Sequence, residues 1–119
     1  MTVIAERTSA ASSERDVLSL TADGTIGGSL RRDTAILLTK NGVANITLEA
    51  PGSSHEGLKL DILSSRPFSH VITAAGLIDD GPAGARNTLT FADFVGASVM
   101  LQARKGHWVV LRTNAVTVA

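Results

Sequence analysis

The feature of this chain that most limits its fold is a succession of short apolar runs, which extends from Val17 to the C-terminus. Turn-forming Gly, Asn, Asp and Pro residues separate these runs at intervals of roughly 8–12 residues, a spacing typical of all-β sandwiches and barrels. The predicted strands are Val17–Thr21, Ala35–Thr39, Ala44–Glu49, Leu58–Leu63, His70–Ala74, Thr88–Phe91, Ser98–Ala103, Trp108–Arg112 and Ala115–Val118. We therefore expect an all-β fold, a compact antiparallel sandwich or barrel-like domain.

The first fifteen residues differ from the rest of the chain. Residues 1–15 are rich in Ala, Ser, Thr, Glu and Arg and show no alternation of apolar and polar positions after Ile4. We expect a flexible N-terminal arm over 1–15 and an all-β domain over 16–119. The apolar head of the arm is shorter than the h-region of a signal peptide, and no apolar run approaches the ~20 residues of a membrane helix. No contact with a membrane is expected.

Two turn sequences predict β-hairpins. Asn41-Gly42 lies between two apolar runs, and both residue types tolerate the positive φ of a tight hairpin turn. Lys105-Gly106 lies inside the stretch "QARKGHWVVL", between two further apolar runs. A two-residue loop at this second site pairs Arg104 with His107, Ala103 with Trp108, Leu101 with Val110 and Val99 with Arg112.

The second hairpin contains the only Trp of the chain. Trp108 would fill the space left by its small partner Ala103, so it is interpreted as a core or interface residue rather than a ligand platform. The cations and the imidazole near the turn, Arg104, Lys105 and His107, would then lie on a solvated tip. The opposite face of the hairpin is also largely apolar, with Met100, Gln102, Val109 and Leu111. Either the hairpin is central in a two-layer fold, or another subunit covers this face.

The composition bears on the classes of partner. Eleven Lys and Arg balance eleven Asp and Glu, so the chain has no net charge that would attract nucleic acid. The chain has four aromatic side chains, three Phe and one Trp, and no Tyr. Proteins that bind single-stranded nucleic acid stack the bases on aromatic rings, and this chain has few of them. We expect no nucleic-acid partner. Small aliphatic side chains bury less apolar area in a core than large ones do. Assembly with identical copies would increase the buried apolar area.

No pattern of residues indicates catalysis or metal binding. The chain has no Cys, and His55, His70 and His107 are too far apart in sequence for a short metal-ligand spacing. Asp79 and Asp80 lie in a turn without the further oxygen ligands of a calcium loop. "GGSL" is not a nucleophile elbow, and "DGTIGG" is not a phosphate-binding loop. We expect no catalytic residue, no cofactor and no metal site, and hence a protein that is not an enzyme.

Weak internal echoes also occur along the chain. The stretches "ANITLEAPG", "SHVITAAG" and "NAVTVA" share a Thr between small residues. Their separations are not constant, and a solenoid is usually marked by a fixed period. We therefore do not predict a solenoid.

From about Thr21 to its end, the chain resembles a family of small tailed-phage virion proteins of the head decoration type. The resemblance is carried by "LTADGTI", "AILLTKNGVANITLEAP", "FSHVITAAGLI" and the closing "TFADFVGASVMLQARKGHWVVLRTNAVTVA". The closing pattern is the most specific, although proteins of this type often have Asn-Gly where this chain has Lys105-Gly106. The resemblance covers about four-fifths of the chain and includes no catalytic signature.

The resemblance implies a virion structural protein on the outer capsid surface. Such a protein is a β-rich homotrimer that bridges neighbouring subunits of the major capsid protein and is assembled in the host cytoplasm. A trimeric tail-fibre or baseplate module is the alternative, since it also needs trimeric β-structure and no active site. A carbohydrate-binding module is less favoured, because it would need more exposed aromatic rings.

Overall fold

The computed structural model of the protein describes residues 16–27, 30–81 and 84–119. This part of the chain forms ten β-strands and one 3₁₀ turn, Ser53–His55. The strands are β1 (Asp16–Leu20), β2 (Gly24–Ile26), β3 (Thr34–Leu38), β4 (Asn45–Leu48), β5 (Lys59–Ser64), β6 (Val71–Asp79), β7 (Ala85–Phe91), β8 (Ser98–Arg104), β9 (His107–Asn114) and β10 (Val116–Val118). The all-β prediction is confirmed. Every predicted strand is present, β2 is additional, and the predicted arm lies outside the described residues.

The first six strands stack in parallel, like the coils of a solenoid. The chain passes between the two layers of the fold from β1 to β2, from β3 to β4 and from β5 to β6, and we call each of these passages a crossing. In one layer β1 pairs in parallel with β3 and β3 with β5, and in the other β2 pairs in parallel with β4 and β4 with β6. The steps are unequal: Asp16 pairs with Thr34, 18 residues later, whereas Thr34 pairs with Leu60, 26 residues later. This inequality explains why no fixed period is visible in the sequence.

The parallel pairings correct the expectation of an antiparallel sandwich. Alternation of apolar and polar residues shows which face of a strand is buried, but it does not show which neighbour the strand pairs with. Asn41-Gly42 likewise does not close a hairpin, because β3 pairs with β1 and β5 while β4 pairs with β2 and β6. The turn instead carries the chain from one layer of the fold to the other.

The last four strands pair in antiparallel fashion, except that β9 also pairs in parallel with β6. Strand β8 pairs with β5 on one side and with β9 on the other, while β7 pairs with β6 and β10. A bulge in β6 between Thr73 and Ile78 contains Gly76, whose φ is +72° and whose N–H donates to Asn87 Oδ1 at 2.8 Å. Beyond this bulge, Ile78 pairs with Trp108 of β9, so the two layers are joined along one side.

The two layers enclose one hydrophobic core. All ten strands belong to one continuous sheet, which passes from one layer to the other at the pairing of β9 with β6. We call the part with β1, β3, β5, β8 and β9 the first sheet and the part with β2, β4, β6, β7 and β10 the second. Alternate residues of each sheet point inward, and buried side chains from both belong to a single cluster. Among the inward residues without exposed surface are Ile36, Leu60, Ile62, Leu101, Ile72 and Leu89. Full burial of such a side chain typically contributes about 1.5–3 kcal/mol, so this cluster is the main stabilising element.

A side-chain staple joins the first two crossings. Asp23 Oδ1 accepts hydrogen bonds from the Asn45 N–H and from Lys40 Nζ, each at 2.9 Å. The bond from the Asn45 backbone and, second, that from the Lys40 side chain hold the pKa of the Asp23 carboxyl below its ordinary value. Lys40 Nζ also donates to the Val43 carbonyl at 3.0 Å, which closes the turn that contains Asn41-Gly42.

Candidate assembly surface

The β8–β9 hairpin closes over two residues, as predicted. Lys105 and Gly106 have φ values of +52° and +78°, so both adopt the left-handed conformation that a tight hairpin of this kind requires. Arg104 pairs with His107 and Ala103 with Trp108, but Met100, rather than Val99, pairs with Arg112. The predicted Val99–Arg112 pair is wrong because an extra residue in β9 shifts the register between Met100 and Leu101.

Trp108 belongs to the core. Its side chain and that of its partner Ala103 have no exposed surface. The indole Nε1–H donates to the Glu49 carbonyl at 2.9 Å, which ties the hairpin of the first sheet to the end of β4 in the second. Trp108 is therefore a structural residue that connects the two sheets, and the interpretation of this residue as a ligand platform is not supported.

The outward side of the first sheet carries apolar side chains among polar and charged ones. On this side Ala35, Leu37, Leu63, Met100 and Val109 are half-buried, whereas Lys59, Arg104 and Arg112 are exposed and Val17 of β1 is 62% exposed. We call this outward surface the apolar face, and its apolar members are Val17, Ala35, Leu37, Leu63, Met100 and Val109. A sheet side turned to water normally carries polar side chains.

Charged side chains also lie on the apolar face. Asp61 pairs with Met100, and Met100 pairs with Arg112, so the three side chains form one row across β5, β8 and β9. The acid and the base lie on opposite sides of Met100. Lys59 lies further along β5, opposite Gln102.

The outward side of the second sheet is different, because threonine dominates it. Thr25, Thr47, Thr73 and Thr88 pair in register across four neighbouring strands. Thr90 and Thr117 form a second row beside them. The chain therefore does build a polar outer surface where it has water on one side, so its small aliphatic composition alone does not account for the apolar face.

An exposed apolar loop borders the apolar face. Phe94 and Val95, between β7 and β8, are 47% and 61% exposed. The loop is fixed at its end, where the Gly96 N–H donates to the Ser64 carbonyl at 2.9 Å and Asn114 Nδ2 donates to the Gly96 carbonyl at 3.3 Å. Because Ser64 ends β5 and Asn114 ends β9, this loop continues the apolar surface beyond the strand ends.

Two of the three histidines, His55 and His70, are buried. The His55 ring accepts the Gly52 N–H at Nδ1 (3.0 Å), and its Nε2 lies 2.9 Å from the Leu30 carbonyl, which places the proton on Nε2. His70 has no exposed surface, and its Nδ1 accepts the Ala44 N–H at 3.0 Å. Both rings form hydrogen bonds with the backbone of the segments that connect the strands, a role that no pattern in the sequence indicates.

Burial sets the ionisation of His70. Desolvation lowers the pKa of this imidazole below its ordinary value, while the Arg66 backbone acts in the opposite direction and Lys40 adds to the lowering. The Arg66 backbone does not form a hydrogen bond of good geometry, so Nε2 has no partner among the described residues. The rings of Phe68 and Phe91 pack edge-on against the His70 ring, with centroids 6.2 and 6.4 Å away. His70 is therefore neutral in the folded protein at pH 7.

The remaining candidate residues are dispersed. Arg104 and Lys105 are exposed at the tip of the hairpin, as predicted. His107 was also predicted to be solvated but is half-buried, as are Asp79 and Asp80 at the end of β6. Within residues 16–27, 30–81 and 84–119, no three His, Asp or Glu side chains come together in a way that could hold a metal ion. The same part of the chain contains no helix of the length and apolarity needed to cross a membrane.

No protein-family model matches the chain, and a search of curated proteins finds no match.

Proposed function

We propose that this chain is a structural protein of a tailed-phage virion, which decorates the outer capsid surface and stabilises it by bridging major capsid subunits. The observation that carries the proposal is the apolar face. The most specific motif of the resemblance, "GASVMLQARKGHWVV", forms the hairpin of β8 and β9 that contributes Met100 and Val109 to this face. The motif and the surface available for assembly thus coincide.

A decoration protein needs extended contacts rather than chemistry. A homo-oligomer presents several copies of each contact to a symmetric lattice, and weak contacts then combine into strong attachment. In the family that this chain resembles, the oligomer is a trimer. The apolar face supports contact between copies, and the hairpin itself does not require a ligand. This protein acts without catalysis, cofactor or metal.

A trimeric tail-fibre or baseplate module is the second candidate, because the same apolar face would serve it. A carbohydrate-binding module is weaker. Of the four aromatic side chains, Trp108 and Phe91 are buried and Phe68 is partly buried, so Phe94 alone is well exposed. Screening on a glycan array would support the carbohydrate candidate only if binding were found and were lost in Phe94→Ala.

Immunogold electron microscopy tests the proposed location. Antibodies raised against the recombinant protein are applied to intact phage particles from a lysate of the source strain. We expect gold on the heads, distributed over the capsid surface. Gold confined to the tail tip would replace the decoration proposal with the fibre or baseplate module, and particles without gold would contradict both.

Deletion of residues 1–15 tests the predicted arm. Because these residues are polar, aperiodic and terminal in sequence, we expect the melting temperature to be nearly unchanged and the binding to capsids that lack the protein to weaken. A co-sedimentation assay with such capsids compares the full chain with the shortened one. A chain that no longer folds after the deletion would show instead that Val3 and Ile4 belong to the core.

A further inference from the structure

Where the β3–β4 crossing, residues 39–44, enters β4, two adjacent backbone amides donate to side chains that titrate. The Ala44 N–H donates to His70 Nδ1 at 3.0 Å, and the Asn45 N–H donates to Asp23 Oδ1 at 2.9 Å. A proton on Nδ1 turns this nitrogen into a donor, and a proton on the carboxyl removes the charge that strengthens its bond. Both hydrogen bonds are therefore lost or weakened in acid.

Other hydrogen bonds of the crossing do not depend on titrating groups. At the start of the crossing, the Thr39 N–H donates to the Leu20 carbonyl at 3.0 Å. At its end, the Val71 N–H donates to the Ala44 carbonyl at 2.9 Å. These backbone bonds hold β3 and β4 in their layers when a side-chain acceptor is protonated, so we expect acid to open the corner locally before it unfolds the chain.

The His70 ring is held less firmly than the other buried imidazole. The His55 ring has a backbone partner at each nitrogen, whereas His70 Nε2 has no partner among the described residues. Phe68 and Phe91 pack edge-on against the His70 ring, which has no exposed surface. An imidazolium at this position would bury a charge without an acceptor for either of its N–H groups. On protonation the ring must therefore leave this position for water.

Lys40 is the charged group that acts on both acceptors. Its Nζ donates to Asp23 Oδ1 at 2.9 Å, which favours the ionised carboxylate, and its charge opposes a second cation at His70. Arg66 acts on His70 through its backbone and favours the protonated ring, while β7 presents the uncharged Phe91 ring. Desolvation is the largest of these effects on His70, so the neutral ring is the form that the closed corner holds.

We propose that acid opens the β3–β4 crossing in two separate steps, first at Ala44 through release by His70, and in stronger acid at Asn45 through release by Asp23. The first step turns the His70 ring out of the fold and uncovers the flanking rings of Phe68 and Phe91. Apolar surface at this corner is thus exposed by acid, whether or not the chain decorates a capsid.

The order of the steps follows from the two acceptors. In the open corner the imidazole has its ordinary pKa of 6.5 and the carboxyl its ordinary pKa of 3.8. The closed corner lowers both pKa values, so each open form binds a proton that the closed form does not. Opening at His70 is therefore favoured as the pH falls below 6.5, and opening at Asp23 only as it falls below 3.8.

Amide hydrogen exchange followed by NMR tests the two steps. Protection is the ratio of the exchange rate in an unstructured peptide to the rate in the protein at the same pH. Because opening takes up one proton, the protection of Ala44 should fall about tenfold for each pH unit below 6.5, until the pKa of the closed form is reached. The Asn45 amide should keep its protection down to pH 3.8. The Ile62 amide, in the centre of β5, exchanges on global unfolding and should be better protected than Ala44 at every pH.

Three variants assign the steps to their side chains. His70→Asn supplies Ala44 with an acceptor that does not titrate, so the fall below pH 6.5 should vanish. Asp23→Asn does the same for Asn45, removes the fall below pH 3.8 and leaves that of Ala44. His107→Asn, which removes an imidazole at the hairpin tip, is the matched control and should leave both profiles unchanged. Circular dichroism confirms folding, and if a variant does not fold, the two profiles of the original protein decide.

Several results would overturn the inference. These are an Ala44 protection that stays constant between pH 7.5 and 5, a fall of Ala44 and Asn45 at the same pH, equal protection of Ala44 and Ile62, or an unchanged fall in His70→Asn. None of them would move the gold label on the virion. Conversely, unlabelled particles would remove the proposed function and leave the measured opening intact.

Discussion

Replacing Trp108 with Ala should lower the free energy of unfolding by about 3–5 kcal/mol, the usual cost of removing a large buried aromatic side chain. The indole has no exposed surface, and it faces Ala103, which is too small to fill the cavity. The substitution also removes the donor to the Glu49 carbonyl, and with it a connection between the two sheets. Since domains of this size are typically stable by about 5–15 kcal/mol, we expect a large fall in the midpoint of urea unfolding.

Two neighbouring substitutions serve as controls. Lys105→Ala and His107→Ala alter the tip of the same hairpin and should each change the stability by no more than about 0.5 kcal/mol, as surface changes usually do. In the original protein, Trp108 fluorescence should be blue-shifted and poorly quenched by iodide. A red-shifted emission that iodide quenches readily, together with unchanged stability in Trp108→Ala, would contradict the buried position.

The second large effect concerns His70 and acid. The unfolded chain binds a proton at this side chain near pH 6.5, whereas burial lowers the pKa in the folded protein. Below pH 6.5 the unfolded state therefore binds more protons than the folded one, and stability declines as the pH falls toward the folded pKa. Each unit by which the pKa is lowered corresponds to about 1.4 kcal/mol. Protonation at Nδ1 would also displace the Ala44 N–H from its acceptor.

Urea titrations between pH 7.5 and 5 measure this decline. In His70→Asn, the amide oxygen can accept the Ala44 N–H but does not titrate, so the decline should be smaller. In His70→Ala the acceptor is lost, and leaving a buried amide unpaired costs about 1–3 kcal/mol at every pH, in addition to the lost packing against Phe68 and Phe91. If His70→Asn retained the full acid sensitivity, another group would be responsible.

The sequence predicts the strands well because alternation and turn residues are local signals. All nine predicted strands are present, and the missed strand, β2, has only three residues, "GTI", too few for alternation to be visible. Trp108 was also placed correctly, because the Lys105-Gly106 turn sets the register of its own hairpin. Val99 was assigned a wrong partner, since the extra residue in β9 has no marker in the sequence.

Strand pairing was predicted less well, because it depends on contacts between distant residues. The echo of Thr47 and Thr73 in "ANITLEAPG" and "SHVITAAG" does mark two crossings, since these residues are direct partners in neighbouring parallel strands. The unequal steps of the crossings concealed this relation. The burial of His55 and His70 was not predicted for a similar reason. Their backbone partners, Leu30 and Ala44, come close to them only when the parallel strands have paired.

The order of strands in the first sheet has a consequence for the synthesis of the chain. Strand β5 lies between β3, which is made before it, and β8, which begins 34 residues after β5 ends, at Ser98. Until the ribosome has released the C-terminal hairpin, the edge of β5 is without its second neighbour, and the layers lack the bridge from Ile78 to Trp108. A nascent chain thus holds three stacked crossings open on the side that the hairpin of β8 and β9 will close.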